Sequence, residues 1–143
     1  MEAIVIKPAE IGHIPLIETL YSEYATKTLC RAEMEKILTL WPAAVVFSGS
    51  QAVGFGYSAP FAPDILELRN LFVKRSHRSK GIGEMLLRFI EDLCRSKFSG
   101  IVLVNSLTHE TLEKKRFAKS FYLRNGYQLI LTTGKSDLYG KTW

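Results

Sequence analysis

Apolar residues recur along this chain with two periods, and the alternation between those periods sets out an order of elements. Ala3 to Lys7 reads as a short strand that Pro8 breaks. Ile11, Ile14, Ile17, Leu20, Tyr21 and Tyr24 fall at helical spacing, which predicts a helix over 10–22. Met34, Ile37, Leu38 and Trp41 mark a second helix over 30–40, stopped by Pro42. Ala43 to Ser48, a Gly49-Ser50 turn and Gln51 to Ala59 read as a hairpin. Gly54-Phe55-Gly56 lies inside its second strand, where glycines mark a bulge more often than a ligand loop. Pro60 and Pro63 predict a loop, and Leu66 to Val73 a further strand.

The second half continues the alternation. Ile82, Leu86, Phe89, Ile90 and Leu93 line one face of a helix predicted from Ile82 to Lys97, with Glu84–Arg88 and Glu91–Arg95 as i,i+4 pairs on the other. Ile101 to Val104 is fully apolar, the pattern of a strand buried in parallel pairing. A helix over 112–125 ends at Asn125-Gly126, and Tyr127–Thr133 with Asp137–Lys141 closes the chain as a hairpin. The order β-α-α-β-β-β-α-β-α-β-β predicts a mixed α/β fold. Its sheet has six to seven mostly antiparallel strands, flanked by about four helices. The strand–helix–strand piece from 66 to 104 is expected to be a right-handed parallel crossover.

Composition narrows the class. A chain of 143 residues favours one domain, here 1–143, large enough to bury a core unaided. No apolar run approaches the ~20 residues of a membrane span, and the N-terminus lacks the basic start of a signal peptide. Cys30 and Cys94 are far apart, as expected for free thiols in a reducing cytoplasm. The net charge of +5 is uneven: residues 1–73 carry −3, residues 74–124 carry +7 and the remainder +1. The basic half fits a polyanionic ligand, and by charge alone also nucleic acid. No helix-turn-helix or aromatic-rich strand motif accompanies that charge, so no nucleic-acid partner is expected. His13, His77 and His109 show no ligand spacing, so no metal is expected either.

The basic half contains the most informative run, Arg78-Ser79-Lys80-Gly81-Ile82-Gly83, between a predicted strand and a predicted helix. The first amides of a helix have no internal partner and sit at the positive end of its dipole. Glycines let an anion approach them, and Arg78 and Lys80 add charge. The P-loop pattern is absent. The dinucleotide fingerprint fails at its third glycine, where Leu86 stands. The turn therefore reads as a pyrophosphate site, or more simply as a basic strand–helix join.

These residues resemble the GNAT family of acyl-CoA-dependent N-acetyltransferases. The family loop [RQ]-x-x-[GA]-x-[GA] matches Arg78, Gly81 and Gly83, and the lead-in L-x-V matches Leu71, Phe72 and Val73. The later pattern A-x-x-F-Y-x-x-x-G-[FY] matches Ala118, Phe121, Tyr122, Gly126 and Tyr127, about 40 residues on. Two positions depart from the family: Lys115 stands where an asparagine is common, and Arg75 where a proline is.

The resemblance implies direct attack of a primary amine, on a small molecule or a peptide, on the thioester of acetyl-CoA. It implies that residues 78–83 (Ser79, Lys80 and Ile82 included) hold the pyrophosphate. An exposed edge of strand 66–73 would receive the pantetheine, a backbone N–H near Phe72 or Val73 would polarise the thioester oxygen, and Asn105 would contribute to the cofactor site. Tyr122 is the implied acid for the leaving thiolate. Glu67, eleven residues before Arg78, is the candidate base, or else an exposed partner of Arg69. Lys114-Lys115-Arg116 with Lys119 is a solvated face or a contact to the adenosine phosphate. Tyr21, Tyr24, Trp41 and Phe61 are core or acceptor pocket. The alternative activity is acetyl-CoA binding without turnover, as a sensor or regulatory module, and the protein is expected as monomer or homodimer.

Overall fold

The computed structural model describes residues 2–23, 25, 28–106 and 112–143, with the side chains of 112–116 set apart. Tyr24, His109 and the side chains of Lys114, Lys115 and Arg116 lie outside the described residues. The elements follow the predicted order: β1 (Ile4–Pro8), α1 (Ile14–Ser22), α2 (Arg31–Leu40), β2 (Ala43–Ser48), β3 (Gln51–Ala62), β4 (Ile65–Val73), α3 (Ile82–Cys94), β5 (Gly100–Ser106), α4 (Leu112–Arg124), β6 (Gln128–Thr132) and β7 (Ser136–Thr142). The strands form one mixed seven-stranded sheet in the order β1-β2-β3-β4-β5-β7-β6. Only β4 and β5 pair in parallel among the registers described.

Two boundaries differ from the sequence reading for physical reasons. The stretch over 10–22 divides into a 3-10 turn, Ile11–His13, and α1. Pro15 has no N–H to donate to Ile11, so a continuous helix would lack that bond. β3 runs through Pro60 to Ala62, leaving only a two-residue turn at Pro63-Asp64 in place of a longer loop. Its register with β2 ends at Ala43↔Tyr57, so beyond Tyr57 β3 has no β2 ladder to break and tolerates a proline.

Two compact units divide the chain: residues 1–59 with 69–93, and residues 60–68 with 94–143. The core of the first joins Ile14, Ile17 and Leu20 of α1, Met34 and Ile37 of α2, and Val45, Phe55 and Phe72 of the sheet. Tyr21 and Trp41 pack against this core, whereas Phe61 is exposed. The β2–β3 register slips between Val46 and Phe47, leaving Val53 as the bulged residue beside Gly54. Gly54 is needed there: a Cβ would stand 2.8 Å from the Phe72 carbonyl oxygen. On α3, Glu84 and Arg88 form the expected pair at 3.0 Å. Glu91, placed on the solvent face by the sequence, is buried; the apolar arc is wider than the predicted stripe and includes Leu87 and Cys94.

In the second unit the parallel register is short: Ile65↔Gly100, Leu66↔Ile101 and Glu67↔Val102. Beyond it β4 runs on to Val73 and β5 to Ser106. The strand is thus an inner one over its first residues and not an exposed edge along 66–73. Helix α4 ends in a Schellman turn, in which the Tyr127 N–H donates to the Tyr122 carbonyl (3.0 Å) and the Gly126 N–H to that of Leu123 (3.1 Å). Among the described residues no helix is long and apolar enough to cross a membrane.

Candidate active site

The sequence-derived candidates fall into two groups, one in each unit. In the first, β4 ends at Val73 and a 3-10 turn, Arg75–His77, leads to the basic run. Ser79 and Gly81 both adopt left-handed backbone, with φ of 63° and 80°. Ser79 holds this shape at a steric cost that Gly81 avoids. A Cβ built on Gly81 meets nothing within 4 Å, so the space in front of this turn is open. The first bond of α3 runs from the Met85 N–H to the Gly81 carbonyl at 3.1 Å. The amides of Ile82, Gly83 and Glu84 therefore precede the helical ladder, where the dipole is positive. Ser79, Lys80 and Gly81 are exposed, Gly83 half-buried and Ile82 buried.

Arg78 is held at two points. Its Nε donates to the Val73 carbonyl at 2.8 Å, and its guanidinium lies 5.6 Å from the centre of the Phe72 ring. Those contacts tie the basic turn to the end of β4. Phe72 is buried in the core, with Leu71 and Val73 half-buried on either side.

Two residues of this unit were missed by the sequence reading. Tyr57 on β3 is buried between Phe55 and the α1–α2 core, and its hydroxyl accepts a 3.4 Å hydrogen bond from Asn70 Nδ2 on β4. Burial pushes the Tyr57 phenol above its usual value of 10.0. The Asn70 bond and the Arg69 charge offset part of the rise, while Tyr21 and Glu33 add to it. A raised folded-state pKa means that the stability contributed by neutral Tyr57 is complete below pH 10 and lost as pH climbs through the folded value. Tyr57→Phe should thus lose less stability than the wild type as pH rises above 10. Urea unfolding of both proteins checks this, and parallel pH profiles would contradict it.

The second unit holds Tyr122, Glu67 and Asn105. Tyr122, half-buried on α4, packs its ring 5.3 Å from Tyr139 and 5.8 Å from Tyr127, both fully buried. Phe121 meets it edge-on at 5.3 Å. Motif spacing finds Tyr122 and Tyr127 but not Tyr139, which comes from β7. Glu67 is half-buried on β4 beside Val102, and Asn105 on β5 stands opposite Asp137. A cavity of about 370 Å³ in this unit, lined by Asp64, Gly100, Gln128, Ile130 and Lys141 among others, contains none of the candidates. No cluster of metal-ligating side chains occurs among the described residues.

Comparison with solved structures finds the same fold in several acetyltransferases. The PaiA N-acetyltransferase of Thermoplasma acidophilum, in complex with coenzyme A, superposes with a TM-score of 0.78 at 18% identity, covering 99% of each chain. Naa50 of Arabidopsis thaliana, in complex with the bisubstrate analogue CoA-Ac-MVNAL, gives 0.79 at 13% identity, covering 98% of this chain and 99% of that one. The ribosomal-protein-S18-alanine N-acetyltransferase of Escherichia coli gives 0.77 at 13% identity, covering 98% and 94%. At such identities the likeness is one of fold. A search of curated protein sequences gives no match. A sequence model described as an acetyltransferase (GNAT) domain matches residues 39–129, more than half of the chain, and this protein belongs to the GNAT acetyltransferase family.

Proposed function

We propose that residues 1–143 form one acetyltransferase domain that moves an acetyl group from acetyl-CoA to a primary amine of a small molecule or peptide. The observation that carries this reading is the 78–83 turn. Its glycine at φ 80° opens onto free space at the start of α3, in a chain of this family. That shape fits a pyrophosphate: backbone amides at a helix N-terminus, no Cβ in the way, and Arg78 and Lys80 beside them. The complexes of PaiA with coenzyme A and of Naa50 with a CoA-peptide analogue agree with such a ligand pair.

Each further role rests on chemistry. β4 beyond Glu67 runs past its ladder with β5, so its backbone there can receive a pantetheine arm by strand-like pairing. A backbone N–H of Phe72 or Val73 polarises the thioester oxygen as the amine nitrogen attacks the carbonyl carbon; such a donor is worth ~3 kcal/mol. The carbon–sulfur bond then breaks, and Tyr122 donates a hydrogen bond to the leaving sulfur. A free phenol with pKa ~10 transfers its proton to a thiolate of pKa ~8.5 only at a cost of ~2 kcal/mol, so hydrogen bonding is the larger part of this role. Asn105 contributes to the cofactor side. Glu67, directly or through water, takes the proton of the amine. The −3 charge of residues 1–73 favours a cationic acceptor, within a screening length of about 8 Å. The exposed Cys30 and buried Cys94 are both free thiols, which suits a cytoplasmic location.

A panel of primary amines incubated with acetyl-CoA, read by release of free thiol, tests the proposal. Turnover on at least one amine is expected. Tight acetyl-CoA binding with no turnover on any would favour a regulatory module instead. On the best substrate, Glu67→Gln should depress kcat/KM most near neutral pH and recover in part at high pH, where free amine is abundant. A pH–rate profile that overlays the wild type would make Glu67 a bystander.

A further inference from the structure

Strand β7 carries no motif, yet it builds one wall around the Tyr122 ring. Side chains alternate along a strand, so Tyr139 and Lys141 share one face of β7. That face meets the C-terminal end of α4 at two points. Lys141 Nζ donates to the Asn125 carbonyl at 2.9 Å and lies 5.5 Å from the centre of the Tyr127 ring. A cation there satisfies a carbonyl at the helix end and faces the negative end of the dipole. The second point is Tyr139, fully buried, whose ring centre lies 5.3 Å from that of Tyr122 at an interplanar angle of 40°. β7 is itself an inner strand. It pairs with β5 from Gly100↔Thr142 to Ser106↔Ser136 and with β6 on its other side.

We infer that Tyr139 is a positioning residue that sets the direction of the Tyr122 hydroxyl, with Lys141 holding the helix end in register for it; this rests on the role proposed above for Tyr122 at the leaving sulfur. Phe121 and Tyr127 also touch the Tyr122 ring. They belong to α4 and to the turn that closes it, so they travel with the helix. Tyr139 belongs to the sheet. Its contact fixes the ring of a half-buried helix residue against the β5–β7 ladder, which also carries Asn105 opposite Asp137. A hydrogen bond to a departing sulfur depends steeply on distance and angle. Misplacing such a group by about 1 Å can cost on the order of 10²-fold in rate. Packing by three rings restricts the rotamers of Tyr122, which is the condition for a donor held ready before the sulfur leaves.

Steady-state kinetics on the best amine substrate test this. Tyr139→Leu should lower kcat by about 10- to 100-fold, with KM for acetyl-CoA little changed. Tyr139→Phe keeps the ring and should restore most of kcat. In a Tyr122→Phe background, Tyr139→Leu should cost nothing further, because no hydroxyl is left to aim. Should Tyr139→Leu fail to fold, Lys141→Met decides the matter. It frees the helix end without opening the buried ring cluster, and should lower kcat by roughly three- to tenfold at unchanged KM, again only while the Tyr122 hydroxyl is present. Equal losses with and without that hydroxyl would overturn the inference and make β7 a structural support alone. So would wild-type kcat in folded Tyr139→Leu protein when Tyr122→Phe is impaired. Wild-type kcat in Tyr122→Phe itself would instead remove the proposed role of Tyr122, and the inference with it.

Discussion

Replacing Tyr122 by Phe is expected to lower kcat by about 10²- to 10⁴-fold while changing acetyl-CoA affinity little. The ring stays, and with it the packing against Phe121, Tyr127 and Tyr139. Only the hydroxyl is lost, and under the proposed mechanism its value appears as the carbon–sulfur bond breaks. An interaction made in the transition state alone reduces kcat and kcat/KM together. The Schellman turn that ends α4 uses the Tyr122 backbone, which the substitution leaves in place, and an unchanged circular dichroism spectrum and Tm of the variant separate lost chemistry from a lost fold. Steady-state kinetics with chemistry shown to be rate-limiting decides the point; a kcat within twofold of the wild type would remove Tyr122 from the reaction.

The second large effect concerns the anion turn. Gly83→Val should abolish acetyl-CoA binding in a protein that still folds. Gly83 lies in the first turn of α3, where valine is a better helix former than glycine by a few tenths of a kcal/mol. A fold defect is therefore not the expected outcome. Under the proposed binding mode, the branched side chain would stand where a phosphate approaches the backbone. Gly81 is a poorer probe, because its φ of 80° strains any side chain and would confuse a turn defect with a binding defect. Isothermal titration on folded Gly83→Val protein, with affinity equal to the wild type, would reduce the turn to a structural join.

Local features were legible in the sequence, and contacts across strands were not. The R-x-x-G-x-G run is contiguous, so spacing alone located the turn from β4 into α3. The two glycines of β3 pointed to a bulge, which falls at Val53 beside them, while Gly54, Phe55 and Gly56 themselves stay in regular register with β2. Pro60 misled, because its tolerance in β3 depends on where β2 stops, which is a tertiary fact. Glu91 misled because a charged residue read as solvent-facing is enclosed by a wider apolar arc. Tyr57 with Asn70, and Tyr139 with Tyr122, come from separate strands and helices, and no spacing rule joins them. The tie from Arg78 to the Val73 carbonyl was hidden in the same way: the charge was visible, its anchorage was not.

The central claim is that this GNAT domain binds acetyl-CoA at the 78–83 turn, and thermal unfolding with and without acetyl-CoA tests it most directly. A ligand at 100 times its Kd stabilises the folded state by ~2.7 kcal/mol. For a chain of this size that corresponds to a rise in Tm of roughly 5–10 °C. Such a rise in the wild type, absent in Gly83→Val, is the result the account predicts. An unchanged Tm for the wild type at millimolar acetyl-CoA would contradict it.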